Sequence, residues 1–326
     1  MNYRRLGRTG LKVSAICLGT MQFGWTTDEP TAHAILNRAL ELGINFIDTA
    51  DVYSRWHPGN PGGVSETHIG NWLAGGAPRD QIVLATKVRG KMGDGPNDQG
   101  LSRGHILNAV EASLRRLRTD YIDLYQTHSP DHETPLDETL RALEDLVRSG
   151  KVRYIGCSNY PAWLLAKALW ISDVHKIVRY DSLQPHYSYV HRAEFERELQ
   201  PLCLDQGVGV IPYSPLAAGF LTGKYRRDQP LPESARADNV QRRYMNEQGF
   251  AAVDKLEEVG RQSGHGATIA QTAIAWVLAN PAVTSAIIGA NSVAQLEDTV
   301  KGADVALPAE DKAALDEVTA WGQAGR

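Results

Sequence analysis

Short apolar runs alternate with longer amphipathic stretches along the chain, and the alternation repeats about eight times. Residues 15–18, the first half of 44–53, and 81–87, 121–128, 152–157, 177–183, 207–212 and 285–288 each have the length and makeup of a buried strand. Helical spacing fills the intervals. Asp28 with Pro30 in the first turn opens one helix, carried by Ala34, Leu36, Ala39 and Leu40 and closed at Gly43. Leu107, Val110, Leu114 and Leu117 mark a second, and Leu136, Leu140, Leu143 and Val147, ending at Gly150, a third. Ile269, Ala273, Trp276 and Val277 mark another before the last strand. Ahead of them all, residues 3–13 alternate around Gly7 and Gly10 and predict a short hairpin.

Strands alternating with helices predict a parallel sheet, and about eight such units predict a closed (β/α)8 TIM barrel in one domain over residues 1–326. No strand is followed by Gly-x-Gly-x-x-Gly, which excludes a Rossmann cofactor domain. Three polar or Gly-rich segments interrupt the repeat: residues 54–64, 89–101 and 226–249, the last with five arginines. All three leave the same barrel mouth, where long loops serve as walls and lids.

Composition agrees with this fold. The chain is 42% hydrophobic and 22% charged, enough apolar material for a large core. A net charge of -4 argues against nucleic acid as a partner, and no apolar stretch approaches the twenty residues of a membrane span. Cys17, Cys157 and Cys203 are scattered, as expected of buried thiols in a reducing compartment. A cytoplasmic protein without membrane or nucleic-acid partners is the expectation.

Ionisable residues stand at the exits of three consecutive strands: Asp48 with Tyr53 just beyond, then Lys87, then His128. Side chains delivered from several strand ends to one mouth are how barrel enzymes assemble a site. A free tyrosine titrates at about 10, and a neighbouring Lys87 ammonium is expected to lower that value and make Tyr53 a better general acid. Asp48 would pair with Lys87, and His128 could donate a hydrogen bond to a substrate oxygen. The set has no evident nucleophile and suits protonating an oxygen while hydride arrives from elsewhere. Singly each has a bland reading: surface phenol, rim cation, helix cap, core histidine. Metal binding is the rival chemistry, since His128 and His132 are four apart, but Pro130 and Pro135 oppose a helix there. His186 and His191 are equally unsupported as ligands.

Asp-Thr-Ala-Asp-Val-Tyr at 48–53, Ala-Thr-Lys at 85–87 and Leu-Tyr-Gln-Thr-His at 124–128 resemble the catalytic tetrad motifs of the aldo-keto reductases. The likeness runs from the opening Tyr-Arg-Arg-Leu-Gly-Arg-Thr-Gly-Leu-Lys-Val-Ser to Ile-Ile-Gly-Ala at 287–290, and is similar to the bacterial branch acting on broad carbonyls and keto-sugars. It implies Asp48, Tyr53, Lys87 and His128 as catalytic residues, and NADP(H) as hydride donor with NAD as a second choice. It further implies cofactor contacts from Gly19, Thr20, Met21 and Asp48, from Ser158, Asn159 and Gln184 to the carboxamide, and from Tyr213 stacking on the nicotinamide. Ser214, Pro215, Leu216, Gly219, Leu221 and Lys224 resemble the loop along the pyrophosphate, and Ser158 and Asn159 could also cap the helix after Pro161. Near the last strand, Gly289, Asn291, Ser292 and Gln295 are the expected contacts, but residues 289–295 lack the cation that the family usually offers the 2′-phosphate. An arginine of the 226–243 segment is expected to reach it, or hydroxyl, amide and backbone donors to replace it. Phe23, Trp25, Trp56 and His128, with Met21 and Met92, are the expected substrate walls for a small-molecule aldehyde or ketone. Arg55 and His57 would favour a sugar or phosphorylated aldehyde instead. Two other classes fit less well: a slow-turnover nucleotide-binding regulatory subunit, and a metal-dependent hydrolase on the same barrel.

Overall fold

The computed structural model describes residues 1–262 and 266–321. The hairpin forms from β1 (Tyr3–Arg5) and β2 (Lys12–Ser14), paired antiparallel with Tyr3 opposite Ser14. It lies across the lower mouth of the barrel. Gly7, at φ +55°, comes so near that a Cβ there would stand 2.7 Å from the carbonyl oxygens of Asp181 and Gly207, so glycine is required.

From there the chain alternates strand and helix: β3 (Ile16–Gly19), α1 (Glu29–Glu41), β4 (Phe46–Asp48), α2 (Val64–Ala74), β5 (Val83–Val88) and α3 (Arg103–Leu117). β6 (Ile122–Thr127), α4 (Leu136–Arg148), β7 (Val152–Ser158), α5 (Ala162–His175) and β8 (Ser182–Gln184) continue it. A π-helical turn leads into α6 (Gln200–Gln206), followed by β9 (Gly209–Val210), α7 (Ala237–Tyr244), α8 (Glu247–Gln262) and α9 (Ile269–Leu278). β10 (Ala286–Ile288), α10 (Val293–Val300) and α11 (Ala309–Val318) complete it. The start anticipated at Asp28 is present: its side chain accepts from the Thr31 amide and caps α1.

Among the described residues, eight strands form one parallel sheet in the order β10-β3-β4-β5-β6-β7-β8-β9. The Thr284 and Ile287 amides donate to the Val210 and Pro212 carbonyls, bringing β10 back to β9 and closing the sheet on itself. The predicted (β/α)8 architecture is the one observed.

Alternation along each strand then decides what enters the barrel. Cys17, Phe46, Ala85, Leu124, Ile211 and Ile287 form the interior cluster, sealed below by Leu6 and Val13 of the hairpin region. Two residues further along the same strands, on the same inward side, stand Gly19, Asp48, Lys87, Gln126, Tyr213 and Gly289. One step along a set of aligned strands therefore converts an apolar plug into a polar floor. The larger cluster, between sheet and helices, holds Leu18, Ile47, Leu84, Tyr125 and Trp276.

Two expectations change. Strands expected over 177–183 and 207–212 reduce to β8 and β9, because the Ile177 and Val178 amides bond to the Ser172 carbonyl and the Glu144 carboxylate instead of to a neighbouring strand. The 226–249 segment is only partly loop, since α7 lies within it and α8 begins there.

Candidate active site

Above the polar floor opens a cavity of about 1120 Å³, running from Asp48, Tyr53 and His128 past Tyr213 to Asn291 and Gln295. Asp48, Tyr53 and Lys87 meet at its inner end. Lys87 Nζ lies 2.5 Å from Asp48 Oδ1, 2.9 Å from the Thr49 carbonyl oxygen and 2.9 Å from Tyr53 Oη. Those three contacts use all three ammonium hydrogens. The Tyr53 oxygen accepts from Lys87, so the phenol's own proton is left to be given elsewhere. His128 faces Tyr53 edge-on, with ring centroids 5.8 Å apart.

The other oxygen of Asp48 is also occupied: Gln126 Nε2 donates to Oδ2 at 3.0 Å and Gln184 Nε2 at 2.9 Å. Gln126 was not among the residues singled out from sequence. Its signal was there, an amide in the middle of an otherwise apolar strand, two positions beyond interior Leu124. Gln184, expected to hold a carboxamide, lines the cavity but spends its amide hydrogens on Asp48 and on Gln126 Oε1.

Burial opposes the Lys87 charge, but the Asp48 carboxylate and Tyr53 outweigh it and hold the ammonium above its ordinary range. For Tyr53 the balance is the reverse of that expected from sequence. Burial pushes the phenol up, Lys87 pulls it down, Asp48 opposes that pull, and the net direction is upward. His128 is pushed down to about 3 by burial and then by Lys87 and Arg89, so its imidazole is neutral and offers one N–H.

Most expected cofactor residues line this cavity. Gly19, Thr20 and Met21 form one wall, and Ser158, Asn159 and Tyr213 the wall opposite Asp48. Ser214, Pro215, Leu216, Gly219 and Lys224 follow, then Gly289, Asn291 and Gln295 at the far end. A Cβ at Gly19 would lie 2.7 Å from Ile287 Cγ2, so that wall is bare backbone. Two expected residues are elsewhere. Leu221 is wholly buried in the main core, and Ser292 caps α10 by accepting from the Gln295 amide. Neither Ser158 nor Asn159 caps α5, whose cap is Pro161; Ser158 Oγ donates to the Gln184 carbonyl and Asn159 Nδ2 to that of His128.

Among the expected substrate walls, Trp25 and His128 line the cavity. Phe23 does not, because it turns into the core and is 0% exposed. Trp56 stands outside at the rim, 45% exposed, edge-on to Trp25 at 5.6 Å and to Tyr53 at 6.1 Å. The 226–249 segment also contributes Arg236, whose guanidinium lies 5.7 Å over the Trp25 ring in the cavity wall, with no acidic partner among the described residues. Asp298 and Thr268 join the far end.

The loop that carries Tyr53 rests on a second buried group. Glu66 accepts from Thr86 Oγ1 and Arg116 Nε, each at 2.6 Å. Asp51 beside it is wholly buried, and neither of its oxygens has a side-chain partner among the described residues. Burial, then Glu66, raises the Asp51 carboxyl well above the usual range. Cys17, Cys157 and Cys203 are free and buried. Among the described residues, no group of three His, Cys, Asp or Glu side chains is placed to hold a metal ion, and no helix is long and apolar enough to cross a membrane.

A closed parallel barrel with charged groups gathered at the carboxyl ends of its strands defines the class: a TIM-barrel protein with its chemistry at the upper mouth. The family model for the aldo/keto reductase family matches residues 15–320, and the chain belongs to that family, whose members are oxidoreductases acting on carbonyl groups. It is 44% identical to the uncharacterized oxidoreductase YrpG of Bacillus subtilis, over 98% of this chain and 96% of that protein. It is 37% identical to the versiconal hemiacetal acetate reductase of Aspergillus parasiticus, over 97% of this chain and 96% of that one. Identity to a probable voltage-gated potassium channel subunit beta of Arabidopsis thaliana is 36%, over 98% of this chain and 95% of that one.

Proposed function

We propose that the protein reduces an aldehyde or ketone to the alcohol, Tyr53 giving the proton to the carbonyl oxygen. The observation that carries this reading is the direction of one hydrogen bond. Lys87 donates to the Tyr53 oxygen, so the phenolic hydrogen is free to point into the cavity. A buried phenol whose pKa is raised keeps that hydrogen through the neutral range. It surrenders it only to an oxygen that has gained negative charge, and the Lys87 ammonium then steadies the phenolate left behind. Neutral His128 donates its N–H to the same substrate oxygen and orients it. Asp48 keeps Lys87 charged and in line.

A nicotinamide dinucleotide, when bound, supplies the hydride, which no side chain can carry. The cavity suits that ligand in size, since ordinary small-molecule sites span roughly 300–1,000 Å³. Tyr213 offers a flat ring for the nicotinamide, and Asn159 and Ser158 offer polar atoms for its amide. Arg236 and Lys224 are cations on the cavity wall, and an arginine there without an acid partner calls for an anion. Its position over Trp25 puts it near the reacting end, which suits the pyrophosphate better than a 2′-phosphate. Asn291, Gln295 and Thr268 offer a 2′-phosphate neutral donors, with the Asp298 carboxylate in the same lining. NADPH is the cofactor that family resemblance favours, and NADH is accepted.

The corner formed by Trp25 and Trp56 beside Tyr53 favours carbonyls with an apolar or sugar-like body of moderate size. The named activity of the Aspergillus relative, on a hemiacetal acetate, is consistent with such a corner. A panel of aldehydes, ketones and keto-sugars, run with NADPH and with NADH in parallel, tests the proposal. Consumption of reduced cofactor with equimolar alcohol formed is the expected result, and no turnover with any carbonyl would leave only a nucleotide-binding role.

A further inference from the structure

We propose that His186 is a positioning residue that backs the Tyr213 ring on the side away from the main cavity. The inference rests on the reading above, in which the nicotinamide lies against Tyr213. The two rings are nearly parallel, 8° apart, with centroids 5.2 Å from one another. His191 extends the stack, its ring 3.9 Å from that of His186 at 22°. The His186–Tyr213 contact falls within the favourable range for offset-stacked rings.

Tyr213 needs such a support because it is a partition with space on both sides. It lines the main cavity and also a side cavity of about 550 Å³, and Asn159, Ser214 and Ala218 are shared between the two in the same way. Those three neighbours all have positive φ, at 60°, 56° and 57°, so the partition is held in strained backbone by its surroundings. The Tyr213 hydroxyl is fixed by one bond, donated to Asn159 Oδ1 at 2.9 Å. A single bond at the ring's tip leaves the ring free to turn about it, and the stacked imidazole removes that freedom. The backbone keeps the two residues in register: they form a bridge, and the Tyr213 amide donates to the Pro185 carbonyl at 3.0 Å. His186 Nε2 lies 3.4 Å from the Tyr244 hydroxyl, which fixes the imidazole in turn.

Charge agrees with this role. Burial, then His191 and Arg243, push His186 down to about 3, so the ring behind Tyr213 is neutral. An oxidised nicotinamide is a cation, and a protonated imidazole stacked behind its platform would repel it.

Titration of the full-length protein with NADPH, followed by quenching of tryptophan fluorescence, tests the proposal without turnover. His186→Ala is expected to raise the dissociation constant roughly three- to tenfold, and His186→Phe, which keeps a flat ring, to restore it to within about twofold. In a Tyr213→Ala background, His186→Ala should cost nothing more. Wild-type affinity in His186→Ala, equal weakness in His186→Phe, or a full further loss without Tyr213 would each overturn the inference. His186→Leu replaces the alanine variant if the enlarged side cavity prevents folding. Quenching absent from the wild-type protein would instead sink the dinucleotide reading itself, and this inference with it.

Discussion

Lys87 and Asp48 form an ion pair 2.5 Å long in which the lysine side chain is 0% and the aspartate side chain 2% exposed. Breaking a buried pair leaves a charge without its partner, at a cost of about 3–5 kcal/mol. The two halves of this pair are not equal. Without Lys87 the carboxylate keeps two amide donors, Gln126 and Gln184; without the carboxylate the ammonium keeps only a carbonyl and a phenol oxygen. Asp48→Asn is therefore expected to lower stability more than Lys87→Met. Urea unfolding curves of the two variants check the order, and a reversed order would mean that the glutamines do not stabilise Asp48.

Tyr53→Phe keeps the ring against His128 and Trp56 and removes only the proton. Positioned acid catalysis contributes about 10²- to 10⁴-fold, so kcat/KM for carbonyl reduction should fall by that factor while NADPH quenching is unchanged. Full activity in the variant would remove Tyr53 from the acid role.

The directions of two pKa shifts define a pH profile. His128 is neutral throughout the range in which a free histidine titrates, so it contributes no limb near about pH 6.5. Tyr53 is raised, so depletion of the proton donor begins only above the ordinary tyrosine value of about 10. kcat/KM for reduction should stay level from mildly acidic to mildly alkaline pH and fall only beyond. A decline starting near neutrality would show that the phenol loses its proton too readily for the balance described here.

Much of this site was legible because strand alternation is a strict rule. Asp48 and Lys87 are ionisable residues at the ends of apolar runs, which the sequence displays, and the structure sets them two positions past interior Phe46 and Ala85. Phe23 and Leu221 failed because a loop has no such period: an apolar residue near a cavity turns to whichever side is drier, and for both that side is the core. Gln126 was missed for another reason. A polar residue inside an apolar run reads as a flaw until its partner, Asp48 on another strand, is in view. β8 came out shorter than expected because an apolar pair does not reveal its backbone partners, and the Ile177 and Val178 amides bond off the sheet.

Arg236 lies over the Trp25 ring beside the reacting groups, and Lys224, Asn291, Gln295 and Asp298 line the same cavity. A pyrophosphate is common to both nicotinamide dinucleotides, so Arg236→Met should weaken NADPH and NADH alike. With no arginine or lysine in residues 289–295, discrimination between the two in kcat/KM should stay below roughly a hundredfold. A variant that loses NADPH alone would assign the arginine to the 2′-phosphate.

Asp51 yields a prediction of opposite sign to acids paired with a cation. Its carboxyl is raised by burial and by Glu66, so the folded protein keeps this proton where the unfolded chain has lost it. An unfolded aspartate releases its proton at about 3.9, so above that pH the unfolded state binds fewer protons than the folded one. Stability from this group is therefore complete below about pH 3.9 and falls as pH rises towards the raised folded value. Asp51→Asn does not titrate, and its amide brings a donor to the neighbourhood of Glu66. The variant should equal or exceed the wild-type melting temperature near neutrality, with the advantage shrinking towards about pH 4. Thermal melts of both proteins across that range test the claim. A gap that does not change with pH would mean that Asp51 is ionised in the fold, paired with Arg116 in place of Glu66.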